Sequence, residues 1–541
     1  MSTIFRQWHL SRIREVVFDL LKTGIDGLDS ILGGGVRYPE DTAAFIFITG
    51  GPGTGKTLLA LEMVTRAWLG GEDGSNFFYY SVEQAPENLY KKLQSDFEFY
   101  GIQAEVTALE QEVPHKLCLE AHTDRGRSRL ILTHANPAML EQRKPIGPVI
   151  DVDWILTEIE NYRLAGNLDL VCIDNVGLLL TDLDYFSKRA ALLETRRSLM
   201  SNRIHGIFVQ EEADPRELRT PSPEEFSTDV LLRLSFLDQP GDFKARSLEI
   251  FKARHQYYYR GAHHFSIAGR GIDRNIYLGA RSERGPGIHI YPSIAAQLSM
   301  ARDSRAFTVP QRGNDPINMG HPDFLSSFQS ETGPGAGSST VLLAEPGTRY
   351  TYLALRFLAA GCANNEETLM ISTNEDQEAI HRICQREGPL AGDCLGEDGA
   401  FDPSFHIHYL HPEFISPGKF TWDLLQMVGG ETTTIQRMAF DNMYRLEDRF
   451  PLLEGQHFMI PAILDLLRYR GITPLIVDLV PPGSARGQGN FNPASYITMF
   501  DNVFHLYIEE DGGTYQPFLR ILKSTANDFS RKPIPIDYQR K

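Results

Sequence analysis

The most constraining feature of this chain is the run from Phe45 to Trp68, where a strand-like stretch, a glycine-rich turn and a helical pattern follow one another directly. Phe45-Ile-Phe-Ile-Thr49 is β-branched and aromatic, as a buried strand is. Gly50-Gly-Pro-Gly-Thr-Gly-Lys-Thr57 comes next and fits GxxxxGK[ST]. Leu58-Leu-Ala-Leu-Glu-Met-Val-Thr-Arg-Ala-Trp68 then has helical periodicity and stops at Gly70-Gly71. This order sets a helix N-terminus and inward-turned backbone N–H groups around one anion. The glycines let that backbone approach phosphate closely. ATP and Mg²⁺ are the ligands such a loop takes, held by Gly51, Pro52, Gly53, Thr54, Gly55, Lys56, Thr57 and Leu58. Lys56 is placed to reach the β- and γ-phosphate oxygens, and the Thr57 hydroxyl to coordinate the metal.

Three further segments carry groups that such a site needs. Asn76-Phe-Phe-Tyr-Tyr-Ser-Val82 is a second strand pattern ending at Glu83, a carboxylate positioned to take a proton from the attacking water. Leu168-Asp-Leu-Val-Cys-Ile-Asp174 is an apolar strand ending in an acid, and Asp174 would hold Mg²⁺ through its water shell. Ile204 to Gln210 supplies another strand, whose Gln210 is a candidate sensor of the γ-phosphate.

Length and charge bound the rest. At 541 residues the chain exceeds one ordinary core and should divide into two to four domains. A net charge of −17 disfavours nucleic acid and anionic membrane as partners of the whole surface. Arg125, Arg127, Arg129, Arg143 and Lys144 form one local basic cluster, best read as an exposed, solvated loop. Five cysteines without a CxxC pair, no bilayer-length apolar run and an N-terminus unlike a secretory signal fit a reducing cytoplasm.

The motifs together resemble the KaiC-like branch of the RecA superfamily. The likeness starts at Thr23-Gly-Ile-Asp-Gly-Leu-Asp-Ser-Ile-Leu-Gly-Gly-Gly35, runs through the glycine-rich loop and Tyr80–Glu87, and resumes at Cys172–Asn175 and Asp229–Leu234. It continues over Ser247–Arg254 and closes at His264–Ala268 and Gly287–Pro292. The resemblance implies an ATPase built as an α/β fold of two tandem RecA-like P-loop domains, each a mostly parallel twisted sheet flanked by helices. It also implies that Lys252 and Arg254 reach the nucleotide of a neighbouring subunit, so that the assembly is a ring, by resemblance a hexamer. Two adjacent catalytic glutamates are usual in the family; here the second is Gln84, which leaves Glu83 alone and points to slow turnover. Residues 103–150 read as an insertion, and 270–286 as an extension of the last strands, both candidate partner contacts.

The second half repeats the first without its chemistry. Around the shared Pro346-Gly347-Thr348, Arg349 replaces Gly55 and Tyr350 replaces Lys56. Leu369–Asn374 matches the Glu83 strand with Asn374 at the glutamate, and Arg437–Asn442 keeps Asp441 of the metal-binding strand. Gly471–Val477 and Phe518–Lys523 match the later strands, with Thr525 at the position of Arg254. The expected division is an N-terminal extension over 1–21, an active domain over 22–295, a linker over 296–315 and a degenerate domain over 316–541. The alternation in Phe405-His-Ile-His-Tyr-Leu-His411 sets His406 and His408 on one strand face, best read as ordinary strand histidines. An ATP-hydrolysing homo-oligomeric ring with a C-terminal scaffold is the leading expectation, with prokaryotic signalling or defence offered by analogy. A DNA-acting ATPase and a nucleotide-gated clamp without catalysis are the alternatives.

Overall fold

The computed structural model describes residues 17–538 apart from residue 26 and the segments 110–114, 135–151, 180–183, 213–227, 239–243, 271–284, 304–315, 329–332, 387–393, 397, 411–416, 429–434, 444–458, 484–497 and 512. The chain divides into two compact units, the first closing at Ala296 and the second opening at Gln297. Residues 1–16 of the expected N-terminal extension lie outside the described residues, as do 271–284 of the expected strand extension. The start of the expected linker is helical, within Ile294–Asp303.

The first unit begins with an antiparallel ribbon of β1 (Phe18–Leu21) and β2 (Val36–Pro39). Its main sheet comprises β3 (Phe45–Gly50), β4 (Ser75–Ser81), β5 (Glu105–Leu109), β6 (Lys116–Thr123), β7 (Gly126–His134), β8 (Asn167–Asp174), β9 (His205–Glu211), β10 (Val230–Asp238), β11 (Lys244–Ala253), β12 (His263–Ala268) and β13 (Gly287–Tyr291). They lie in the order β13-β12-β11-β10-β3-β9-β8-β4-β7-β6-β5. The centre from β10 to β7 is parallel, and both flanks are antiparallel. Parallel strands covered on both faces are apolar throughout rather than alternating. All six residues of β3 are buried, with Phe45 and Phe47 packed into one cluster with Phe78, Val171 and Phe208. Helix α1 (Lys56–Leu69) lies across this centre and buries Trp68 completely.

The insertion keeps Arg125, Arg127 and Arg129 exposed, as expected, but sets the last two on a strand rather than a loop. Its described residues form β5, β6 and β7, a meander that extends the sheet edge next to β4. Arg125 lies in the turn between β6 and β7, whose ends pair Thr123 with Gly126. The apolar alternation Leu130–Leu132 with Leu117 and Leu119 is the signal of these strands, which a reading centred on the arginines overlooks.

The second unit contains β14 (Thr340–Ala344), β15 (Thr368–Ser372), β16 (Phe405–Tyr409), β17 (Arg437–Asp441), β18 (Thr473–Leu479), β19 (Asn502–Asp511), β20 (Thr514–Ser524) and β21 (Ile534–Pro535). Their order is β16-β15-β17-β18-β14-β19-β20-β21. Strand for strand this repeats β7-β4-β8-β9-β3-β10-β11-β12 of the first unit. Even the irregularities coincide. The β10–β11 register breaks between Leu231 and Leu232, the β19–β20 register between Val503 and Phe504. Helix α2 (Tyr350–Cys362) follows β14 as α1 follows β3, burying Tyr352, Leu353, Phe357 and Leu358. Both units are therefore RecA-like α/β folds, as the sequence leads one to expect.

Candidate active site

The glycine-rich loop leaves β3 at the carboxyl end of the parallel strands, the end where open α/β sheets bind ligands. Gly50 sits tightly against β10, where a Cβ would lie 2.2 Å from the Leu234 carbonyl oxygen. Gly51 and Gly53 have nothing within 4 Å of an added Cβ, so the inner side of the loop is open to a ligand. Gly55 adopts φ 106° as the residue before α1, a conformation that L side chains take at a cost. Thr54 Oγ1 donates to the Gly51 carbonyl at 2.8 Å, and Lys56 Nζ donates to the same oxygen at 2.8 Å. Pro52 and Leu58 belong to the same loop and first helical turn. These positions fit a triphosphate: an open backbone cradle, a helix N-terminus and one ammonium.

Burial lowers the Lys56 pKa, opposed by the charges of Glu211, Asp174, Glu83 and Glu212. Thus the lysine lies in an acidic ring from three different strand ends. Asp174 ends β8 and is buried. Its Oδ2 accepts from Tyr79 Oη at 2.8 Å, and the Thr57 hydroxyl also hydrogen-bonds its carboxyl. Burial raises the Asp174 pKa against those two bonds. Thr57 and Asp174 are thus brought together as a metal would require. Glu83 lies just beyond β4, and Asn175 Nδ2 donates to its Oε1 at 3.3 Å. Gln84 is engaged elsewhere, accepting from Lys92 Nζ at 2.7 Å.

Sequence reasoning missed three participants. Tyr79 holds Asp174 from β4, Asn175 holds Glu83, and Glu211, rather than Gln210, faces Lys56. Side chains alternate across a sheet, so neighbours on β9 point to opposite sides. The Gln210 side chain lies against Gly177 instead. Glu212 accepts from Thr49 Oγ1 at 2.9 Å and pairs with Arg233 at 3.0 Å, which braces the strand ends.

Lys252 and Arg254 stand apart from this cluster. Lys252 pairs with Leu231, while Gly50 pairs with Leu234, three residues further along β10. At the usual strand rise that is roughly 10 Å along the sheet. The Arg254 backbone N–H donates to the Asp229 carbonyl at 2.8 Å, and its guanidinium lies 4.0 Å from the Asp229 carboxylate. Both cations are therefore at the amino end of β10, remote from the loop of their own chain.

Two members of the basic cluster engage the protein itself. Arg125 donates to the Gly70 carbonyl and Arg129 pairs with Glu120 at 2.8 Å, while Arg143 and Lys144 lie outside the described residues. His406 on β16 pairs with Glu367 at 2.7 Å. Among the described residues no three His, Cys, Asp or Glu groups converge as metal ligands. None of the five cysteines is in a disulfide, and no described helix is long and apolar enough to cross a membrane.

Against known proteins, the family model for the KaiC ATPase matches residues 21–276, a span that contains the whole cluster. Residues 21–276 belong to the KaiC-like P-loop ATPases. A UPF0273 protein of Pyrococcus horikoshii is 28% identical over 262 residues, covering 47% of this chain and 92% of the relative. One of Methanopyrus kandleri is 26% identical over 259 residues, with 47% and 90% covered. The circadian clock oscillator protein KaiC of Parathermosynechococcus lividus is 22% identical over 366 residues, covering 67% of this chain and 56% of that protein. The last alignment is longer than the first unit.

Proposed function

We propose that the first unit hydrolyses Mg-ATP in a homo-oligomeric ring, hexameric by likeness to KaiC, and that the second unit is its scaffold or partner surface. One observation carries this reading. Lys56, Thr57, Glu83 and Asp174 meet at one end of the sheet, while Lys252 and Arg254 stand at the other. A single chain therefore holds cradle, metal ligands and base but keeps two cations out of their reach. A neighbouring chain that docks its β11 end on this loop would complete the site.

In hydrolysis, a water oxygen bonds to the γ-phosphorus as the β–γ bridging P–O bond breaks. Glu83 accepts the water's proton, held for that role by Asn175. Lys56 leaves the Gly51 carbonyl for the β- and γ-oxygens, and Lys252 and Arg254 of the neighbour offset charge on the transferring group. Thr57 and Asp174 would hold Mg²⁺, which when bound neutralises charge on the same oxygens. The domain limits follow from this reading: 22–295 active, 316–541 without nucleotide chemistry.

Steady-state ATPase of Lys56→Ala should fall to background; wild-type turnover in that variant would remove the assignment. Mass photometry with and without ATP tests the ring, and a monomer in both conditions removes the shared site. The engagement of Gln84 by Lys92 favours a second reading, in which ATP clamps the ring without turnover. In that case the wild type binds ATP and assembles but releases no phosphate.

A further inference from the structure

The second unit has kept the metal-holding part of a P-loop site and filled in the phosphate-holding part. Thr351 stands at the position of Thr57 and Asp441 at that of Asp174, with Thr351 Oγ1 donating to Asp441 Oδ2 at 2.7 Å. Ser372 pairs with Asp441 as Ser81 pairs with Asp174. The Glu375 N–H donates to Ser372 Oγ at 3.0 Å, as the Gln84 N–H does to Ser81 Oγ at 3.0 Å. Glu375 is thus the residue at the Gln84 position. A carboxylate returns to this site one residue beyond Asn374, where the sequence comparison leaves none.

Asp441 differs from Asp174 in one respect. In the same register, the place of the Tyr79 hydroxyl is taken by Met370, which donates nothing. Asp441 is 0% exposed, and its Oδ1 has no hydrogen-bond partner among the described residues. A carboxylate buried this way needs a proton or a cation. The negative charge of Glu375 is near enough to act on Asp441, so the two acids share a field that a cation would offset.

The phosphate side is closed by the protein. Arg349 adopts φ 53° before α2, and its guanidinium lies 4.9 Å from the Tyr352 and Tyr538 ring centres. The Tyr538 hydroxyl donates to the Thr348 carbonyl, and Tyr350 stands where the lysine would be.

We propose that Thr351, Asp441 and Glu375 form a divalent-cation site that fills without nucleotide. Two carboxylates, a hydroxyl and waters are the hard oxygen donors that suit Mg²⁺ or Mn²⁺. The bound ion ties the start of α2 to the ends of β15 and β17.

The test uses the full chain carrying Lys56→Ala, so that it stands or falls independently of ATP hydrolysis in the first unit. Mn²⁺ alone is titrated without nucleotide, and free Mn²⁺ is read by electron paramagnetic resonance. One saturable Mn²⁺ is expected at this site, and it is abolished by adding Asp441→Asn. Glu375→Gln, at a partly exposed position, removes one charged ligand and should weaken binding by at least about tenfold, the lower end of what loss of a supporting outer group costs. No saturable binding, or binding indifferent to Asp441→Asn, overturns the proposal. If Asp441→Asn does not fold by circular dichroism, unchanged affinity in Glu375→Gln overturns it instead.

Discussion

Converting the first loop into the second by the pair Gly55→Arg and Lys56→Tyr should abolish nucleotide binding and leave the fold standing. The second unit already carries this pair on the same strand–loop–helix frame. Gly55 has φ 106° and ψ 15°, Arg349 φ 53° and ψ 38°, so both lie in the left-handed region. A non-glycine residue there costs about 1–2 kcal/mol. The new Cβ would lie 3.1 Å from Ile267 Cδ1, the mobile end of a side chain that must give by a few tenths of an ångström. With that contact, the total loss is about 2–3 kcal/mol, a Tm decrease of roughly 4–12 °C for a unit of this size. The effect on ligand is larger. Lys56 can donate to two phosphate oxygens, each charged hydrogen bond contributing about 1.5–3 kcal/mol, so affinity should fall roughly 10²–10⁴-fold. Titration with a fluorescent ATP analogue reads the affinity and thermal melting reads the fold. Affinity within tenfold of wild type would show that phosphate binding does not reside in these two positions. An unfolded variant would refute the claim that the frame is independent of the loop chemistry.

Three further outcomes follow from the same geometry. Glu83→Gln should keep nucleotide affinity within about threefold, because the base contacts the water rather than the phosphates, while phosphate release falls at least about 10²-fold; equal losses in both would place Glu83 in binding. Chains carrying Lys56→Ala and chains carrying Lys252→Ala with Arg254→Ala should each be inactive, yet a mixture should regain activity at junctions that pair an intact loop with intact cations; a mixture as dead as its parts would sink the shared site. His205 is half-buried, accepts from the Ala44 N–H at 3.0 Å, and has its pKa lowered by desolvation to about 4. The unfolded chain protonates this imidazole near pH 6.5 and the fold refuses the proton, so its stabilising effect is complete above pH 6.5 and is lost as pH falls towards 4. The slope is at most about 1.4 kcal/mol per pH unit. Denaturant titrations at pH 7, 6 and 5 should show that His205→Gln removes about one proton's worth of this slope; an unchanged slope would show that His205 does not titrate there.

Much of the first site was legible because a P-loop is written in one contiguous segment. Residues 45–69 contain the strand, the turn and the helix whose backbones make the cradle, and no distant partner is needed to recognise them. Glu83 and Asp174 could be found because each ends its own apolar strand. Their supports could not. Tyr79 meets Asp174 across 95 residues of sequence, and Asn175 meets Glu83 across 92. The arginine-rich insertion misled for a related reason: its charges lie along a hairpin whose apolar positions face the sheet interior.

Local order, then, was determined by the sequence alone: one intact phosphate loop, a second whose Gly55 and Lys56 equivalents are Arg349 and Tyr350, and the acids that end the strands. Only the tertiary structure decided which of two adjacent residues faces the site. Strand register is set by pairing between segments far apart in the chain, and a shift of one residue turns every side chain to the other face. That register selects Glu211 over Gln210, sets Glu375 beside Asp441, and leaves Lys252 and Arg254 at the end of the sheet away from their own loop.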